Sequence, residues 1–341
     1  MFYAEFNSKF KGAQDRDSVT WSIYMNEEKF NIIAFYSSKP DPRVLSKKNI
    51  KLKKIPKNKY FKIIFQTIYI IFIKVDILII NKPNINLLIY LKLKKYIFFD
   101  KKKIAISFVN RLPYDRPLER MLYLPGFHQF AISKTIKEDF LNLTGQNIPV
   151  IHLVYDLELF KPNHAMNKNS IKIICVGSLQ ARKNPFLFVN IASQFKEHEF
   201  VWVGTGYYKG WIKEKVQKHS IKNFNLIDTL EQRDLAQLLG ECSIFLFTSF
   251  HEGFPNVIVE ALSAGLPVIT FDTYGPEAIE NGYNGFIAKD EFEMKEKLKI
   301  MLEDQQLLEE MSQNALKSSK QFYGKNKIYE LENFLLEIGK K

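Results

Sequence analysis

A chain of 341 residues that is 46% hydrophobic and 25% charged is too long for one core and ordinary in composition, which argues for two packed units and against disordered, collagenous or disulfide-stapled classes. Its two cysteines, Cys175 and Cys242, lie in apolar strand-like runs, so two buried reduced thiols are expected, with no disulfide framework and no metal-binding spacing. The formal charge of +12 sits in the first half, where residues 1–160 hold 27 Lys and Arg against 14 Asp and Glu, while residues 161–341 hold 22 against 23.

No basic segment followed by an apolar one opens the chain, so no cleaved leader is expected. A short first strand, MFYAEF, precedes DRD at 15–17, which reads as a surface turn rather than a metal-binding acid pair. FNIIAFYS (30–37) predicts the next strand. The lysine-rich runs KKNIKLKKIPKNK (47–59) and KLKKYIFFDKKK (92–103) read either as solvated surface or as a draw toward an anionic membrane, where each nearby Lys contributes about 1 kcal/mol. Without arginine and stacking aromatics in a binding motif, they do not predict a nucleic-acid partner.

A helix is predicted near 59–74. The stretch IIFQTIYIIFIKVDILII (63–80) is broken by Lys74 and Asp76, leaving too short an apolar run for a hydrocarbon core of about 30 Å. It reads as a buried helix running into the strand DILIIN (76–81). Further strands are expected at YIFFD (96–100), IAISFVN (104–110) and HQFAIS (128–133). DLELFKPNHAMNKNS (156–170) then loses periodicity and gains Pro, Asn and Lys, as a hinge-like linker does. The expected domains are therefore 1–157 and 158–321, with a last helix, about 322–341, returning to the first.

Beyond the linker, short apolar runs alternate with helical ones, the pattern of a parallel sheet wrapped by helices. Strands are predicted at 171–177, 200–204, 224–228, 244–249 and 267–272, and the tail from about 291 reads as helical throughout. Nearly every strand ends in Gly, Ser, Thr or Asp, and ligands of such sheets bind at the carboxyl ends of strands.

Two stretches carry candidate chemistry. In SFHEGFPNVIVEALSAGLPVI, a strand ending in Thr248 and Ser249 turns through His251, Glu252, Gly253 and Phe254 into a helix that starts at Pro255 or Asn256. The first amides of that helix, around Val257, lack intrahelical partners and form an anion site. Glu252 in the turn can reach what lies beyond the anion. Glu260, among Val257, Ile258, Val259, Ala261 and Leu262, is an acid that needs a partner or ligand, such as a pair of vicinal hydroxyls. In VGSLQARKNP (176–185), Gly177 permits a sharp exit, and Arg182 and Lys183 arrive before a helix start, a setting for a diphosphate. His251 reads as a neighbour of Glu252 without a catalytic role, and Phe254 as a residue that packs the turn.

Together with GTG at 204–206 and YGPEAIENGYNGFIAKD, these stretches resemble the C-terminal domain of retaining glycosyltransferases of the two-Rossmann-domain (GT-B) type, family four, over about residues 171–290. KFKGAQDRDSVTW resembles that family's glycine loop near the acceptor, and FAISKTIKEDFLN its segment before the linker. The resemblance implies an α/β fold of two Rossmann-like doubly wound domains facing across a cleft, with a C-terminal helix crossing back. It implies transfer from a nucleotide diphosphate sugar, with retention and no metal, to a glycan or lipid-linked acceptor in cell-surface polysaccharide or lipopolysaccharide synthesis. By position, Glu252 would contact the donor sugar and Glu260 the ribose. The backbone of Gly253, Phe254, Pro255, Asn256 and Val257 would hold sugar and phosphate. Lys183 with Arg182 would neutralise the diphosphate beside Gly177 and Ser178, and Gly12 would lie near the phosphates.

The chain departs from the family pattern in places. Ser178 stands where an arginine is common, Asn110 where a histidine often meets the donor sugar, and HLVYD (152–156) replaces a Pro-Asn-Gly. These departures motivate an alternative, a non-catalytic relative that binds nucleotide sugar as a partner subunit. A dehydrogenase reading of VGTGYYKG fails for want of the third glycine and a first βαβ unit. The expected location is cytoplasmic, at the inner face of the membrane.

Overall fold

The computed structural model describes residues 1, 4–7, 13–80, 89–90, 93–94, 101–109, 123, 126–162 and 171–340. They form two compact units, Met1–Tyr155 with Gly324–Lys341, and Asp156–Tyr323. The expected strand at 96–100 and the candidate residues Gly12 and Asn110 lie outside the described residues.

In the first unit, α1 (Ala13–Tyr24) precedes β1 (Ile32–Tyr36), which pairs in parallel with β2 (Ile50–Lys54). Helix α2 (Lys59–Phe72) then leads to the parallel sheet β3 (Ile77–Ile80), β4 (Lys103–Phe108) and β5 (His128–Ala131). The opening residues join the two sheets. Phe6 N–H donates to Phe35 O at 2.8 Å, and Ile79 N–H donates to Met1 O at 2.8 Å. Strands thus wind outward in both directions from the first segment, as in a Rossmann fold.

After β5, Ser133 caps α3 (Lys134–Thr144) by accepting from Ile136 N–H, and Gly145 at φ 72° ends it in the left-handed conformation.

Two readings of this half need correction, and one strand went unpredicted. DRD at 15–17 is no surface turn: it opens α1, Asp15 and Asp17 are buried, and Asp15 Oδ1 accepts from Glu5 N–H at 3.3 Å. An acid in a first helical turn complements the helix dipole, which favours the helix there. The run 47–59 contains the strand β2, whose alternating Ile and Leu are masked by the lysines between them. Helix α2 forms as expected, with Asn58 capping Tyr60 and Phe61, but it is not buried all round. Gln66 and Ile70 face inward while Phe61, Ile64, Ile68 and Phe72 are exposed. Lys62 and Gln66 lie on the inward side, where Lys62 pairs with Glu5, so the apolar stripe of this helix marks the face turned outward rather than the one that meets the core.

In the second unit, β6 (Lys172–Val176), β7 (Glu199–Val203), β8 (Phe224–Ile227), β9 (Ile244–Phe247), β10 (Val268–Phe271) and β11 (Gly285–Ala288) make one parallel sheet ordered β11-β10-β9-β6-β7-β8. Ile173, Ile174, Phe245, Leu246 and Ile269 are fully buried along its middle, as a sheet covered on both faces requires. The helices are α4 (Pro185–Gln194), α5 (Lys209–Lys218), α6 (Gln232–Gly240), α7 (Asn256–Ser263), α8 (Glu291–Glu303) and α9 (Gln305–Ser319). Asp290 and Asp304 cap the last two and divide the helical tail.

Strand β11 was not expected from its four residues. Its Gly285 has φ 158°, and a Cβ there would stand 2.0 Å from Val268 O, so only glycine allows the pairing.

The strand order reverses between β6 and β9. Chain leaving β6 turns to one side and chain leaving β9 to the other, opening a crevice at their carboxyl ends. The final helix, α10 (Tyr329–Lys340), belongs to the first unit, where Leu331, Leu335 and Ile338 are buried and Phe334 meets Phe130 edge-on with centroids 5.1 Å apart.

Candidate active site

The crevice between β6 and β9 is built by two loops. The first runs from Gly177 through a 3-10 turn, Ala181–Lys183, to Asn184, which takes φ 47° and delivers Pro185 as the first residue of α4. The second runs from Thr248 to Pro255. Hydrogen bonds to the backbone of the first loop join them: Phe250 N–H to Arg182 O at 2.9 Å, Ser249 Oγ to Arg182 O at 3.1 Å, and Thr248 Oγ1 to Lys183 O at 2.9 Å and Asn184 O at 3.2 Å. Thr248 and Ser249 are buried, so these bonds hold the loops in a fixed relation.

That stitching brings Glu252 against both cations. Glu252 Oε1 accepts from Arg182 Nη1 at 2.7 Å, Lys183 Nζ at 2.5 Å and Ser249 Oγ at 2.5 Å. Arg182 also donates to His251 O at 3.3 Å. Lys183 is buried, with its ammonium 4.6 Å from the Phe247 ring centroid. Burial pushes the Lys183 amine down from the ordinary lysine value; Glu252 opposes that shift without cancelling it, and Arg182 adds to it. Two cations on one carboxylate leave the cluster with a net positive charge, which suits an anion.

Gly177 lies under the lysine stem. A Cβ there would approach Lys183 Cδ to 3.3 Å, and Trp202 Nε1 donates to Gly177 O at 2.9 Å. Gly204 and Gly206 of the GTG stretch press on the same loop, where added Cβ atoms would come within 2.1 Å of Gly177 O and 2.7 Å of Leu179 O. These glycines are packing devices for the Lys183 loop, a role that their motif alone does not reveal. Ser178 is half-buried beside them.

Helix α7 begins three residues after Gly253, at Asn256, with Pro255 in the cap position and no side-chain cap bond. Ile258 N–H donates to Pro255 O at 3.1 Å, and the Val257 N–H ahead of it has no carbonyl one turn back within the helix, the setting of an anion site. Phe254 is buried against Phe322, with centroids 5.7 Å apart, and packs the turn. Glu260 is buried in the second turn of α7, about 6 Å along the axis from Asn256 at 1.5 Å per residue. Beneath the loops, Tyr274 OH and Thr270 Oγ1 share a hydrogen bond of 2.5 Å, and Cys175 is buried with its thiol pushed up to about 12 by burial. Both cysteines are free and buried, as expected.

The structure thus gathers Gly177, Ser178, Arg182, Lys183, Glu252, Gly253, Phe254, Pro255, Asn256 and Val257 on the two loops and the helix start that border one crevice. Glu260 stands deeper along the same helix. Among the described residues, no helix is long and apolar enough to cross a membrane, and no three His, Cys, Asp or Glu cluster as a metal site would require.

Residues 156–318 match the family model described as glycosyl transferases group 1. Over 171 residues the chain is 31% identical to the Escherichia coli UDP-Gal:alpha-D-GlcNAc-diphosphoundecaprenol alpha-1,3-galactosyltransferase, covering 45% of this chain and 43% of that one. Over 92 residues it is 36% identical to the Campylobacter jejuni N,N'-diacetylbacillosaminyl-diphospho-undecaprenol alpha-1,3-N-acetylgalactosaminyltransferase, covering 26% and 24%. Each alignment spans less than half of the curated relative's length. Among solved structures, Anabaena Alr3699/HepE, crystallised with UDP-glucose, is similar at a TM-score of 0.78 and 16% identity over 100% of this chain and 99% of that one. A glycosyltransferase from Rickettsia africae is similar at 0.75 and 19% identity, over 99% and 97%. At these identities the likeness shows the fold, two Rossmann-like domains.

Proposed function

From a chain whose residues 156–318 form a group 1 glycosyltransferase domain, we propose transfer of a sugar from a nucleotide diphosphate sugar to a glycan or lipid-linked acceptor, with retention at the anomeric carbon. The observation that carries this reading is Glu252 Oε1 bridging Arg182 and Lys183 at the point where the strand order reverses. A UDP-sugar is the donor class that fits best, since the E. coli relative is named for UDP-Gal and the Anabaena structure holds UDP-glucose. The diphospho-undecaprenol in the names of both bacterial relatives supports a lipid-linked acceptor, and the same proposal sets the reaction in cell-surface polysaccharide synthesis at the inner face of the membrane.

In this reading the diphosphate lies against Lys183, Arg182 and the first amides of α7. When the bond from the anomeric carbon to phosphate oxygen breaks, both electrons leave with the phosphate. The two cations and the helix end meet that charge where it develops, an effect that oriented donors supply at about 3–4 kcal/mol each. The acceptor hydroxyl oxygen forms the new bond to the anomeric carbon and gives up its proton to the departing phosphate oxygen.

Glu252 acts twice. It fixes the cations in place, and its second oxygen can accept from donor sugar hydroxyls, because a carboxylate offers about four lone-pair sites. Glu260 is assigned the ribose. With cations and amides meeting the leaving charge, the reaction is proposed to run without metal, so a chelator should leave the transfer rate unchanged.

The test is a transfer assay on Glu252→Ala. The variant is expected to keep its fold and to lose at least about a hundredfold in rate, as removal of one oriented charge partner does. Undiminished transfer contradicts the assignment. Donor binding without any transfer by the parent chain favours the non-catalytic alternative.

A further inference from the structure

We propose that helix α2 docks this chain on an anionic phospholipid bilayer, lying flat in the interface with its apolar face at the boundary of the acyl chains. Phe61, Ile64, Ile68 and Phe72 recur at intervals of three or four residues and are 67%, 55%, 52% and 69% exposed, with Tyr60 and Phe65 beside them. The polarity is inverted relative to a surface helix, since Gln66 is buried on the opposite face. Water is a poor solvent for such a stripe, and large exposed apolar patches mark interaction sites. Fourteen residues span about 21 Å, short of a hydrocarbon core of about 30 Å, so the helix can lie on a bilayer but not cross it.

Charge decides the occupant. From Pro42 to Val75 the sequence has ten Lys and Arg and no Asp or Glu. Arg43, Lys47 and Lys62 pair with Asp41, Glu27 and Glu5, while Lys51, Lys54, Lys57 and Lys74 stand exposed, the last two flanking the two ends of α2. An apolar stripe bordered by lysines matches an interfacial helix on anionic lipid. A second copy laid on the same face would oppose like charges. The proposal meets the transferase reading only in the lipid-linked acceptor, and its test involves neither donor nor transfer.

The experiment is co-sedimentation of the full chain with vesicles of phosphatidylglycerol and phosphatidylcholine, against phosphatidylcholine alone. The expected result is at least tenfold tighter binding to the anionic vesicles, weakened by added salt. It should fall at least tenfold in the combined Phe61→Ser, Ile68→Ser, Phe72→Ser variant at an unchanged melting temperature. A Phe65→Trp variant should show a blue-shifted emission on the same anionic vesicles. No binding by the parent chain, undiminished binding by the triple variant, or no spectral shift for Phe65→Trp overturns the proposal. So does a parent chain that binds no vesicles and is a dimer which the triple variant dissociates.

Discussion

A methyl group at Gly177 would meet the flexible stem of Lys183 at 3.3 Å, whereas one at Gly204, with φ 144°, would meet the carbonyl oxygen of Gly177 at 2.1 Å. The first contact can be relieved by moving a side chain; the second requires the backbone to move. Gly177→Ala is therefore expected to change stability by less than about 1 kcal/mol while displacing the ammonium and weakening donor binding. Gly204→Ala is expected to cost about 3 kcal/mol or more, from strain and backbone overlap together. Thermal melts with donor titrations separate the two, and equal losses of stability would contradict the contrast. Lys183 adds a pH dependence. Burial, opposed by Glu252, lowers its pKa, so as pH rises it loses its charge before an ordinary lysine does. Donor affinity should then fall on the alkaline side, and Lys183→Arg should move that fall to higher pH. An affinity profile flat to about pH 10, near the ordinary lysine value, would count against a role for its charge.

Among the elements, strands β6 to β10 of the second unit were legible because each is a short apolar run closed by a small or polar residue, and Glu252 and Lys183 were legible because such residues sit at strand ends. Their contact was not. Arg182 and Glu252 are 70 residues apart and become neighbours only because β6 lies beside β9, an adjacency that periodicity along the chain does not encode. Strand β2 was hidden because lysine stems can line a half-buried sheet while the amines stay in water. The exposed side of α2 was hidden because an apolar stripe ordinarily marks the buried face, whereas here Lys62 and Gln66 take the inward side. Helix α10 carries a checkable ion cluster. Burial alone would raise the Glu330 carboxyl, but the His152 ring at 3.3 Å, the His152 N–H at 3.2 Å and Lys327 at 2.8 Å hold it down to about 2. A carboxylate lowered on folding stabilises fully above its unfolded value near 4.5, and that stabilisation is lost as pH falls through about 2. Glu330→Gln should flatten the acid limb of the stability profile between those values. An unchanged limb would mean that the cluster contributes nothing on folding.

For the whole molecule, the chain leaves its first unit at Tyr155 and re-enters it at Gly324. Leu331, Leu335 and Ile338 are buried there, so a chain ended after Tyr323 should lose the cooperative unfolding of the first unit and retain that of the second. Calorimetry of the two chains resolves this, because two-unit proteins need not unfold in one step. Loss of both transitions would show that the second unit does not fold by itself. Charge is divided along similar lines, the excess lying in residues 1–160, so salt should weaken contacts of the first half with anionic surfaces and leave the buried Lys183–Glu252 pair largely unscreened. The central claim is that the crevice between β6 and β9 holds the diphosphate of a nucleotide sugar against Lys183. Calorimetric titration of UDP-, GDP- and ADP-sugars into the parent chain and Lys183→Met tests it most directly. One donor class should bind the parent, and the variant, melting at the same temperature without ligand, should bind it about a hundredfold more weakly, near 2.7 kcal/mol. Equal affinity in the two proteins, or no binding of any of the three donors to the parent, would contradict it.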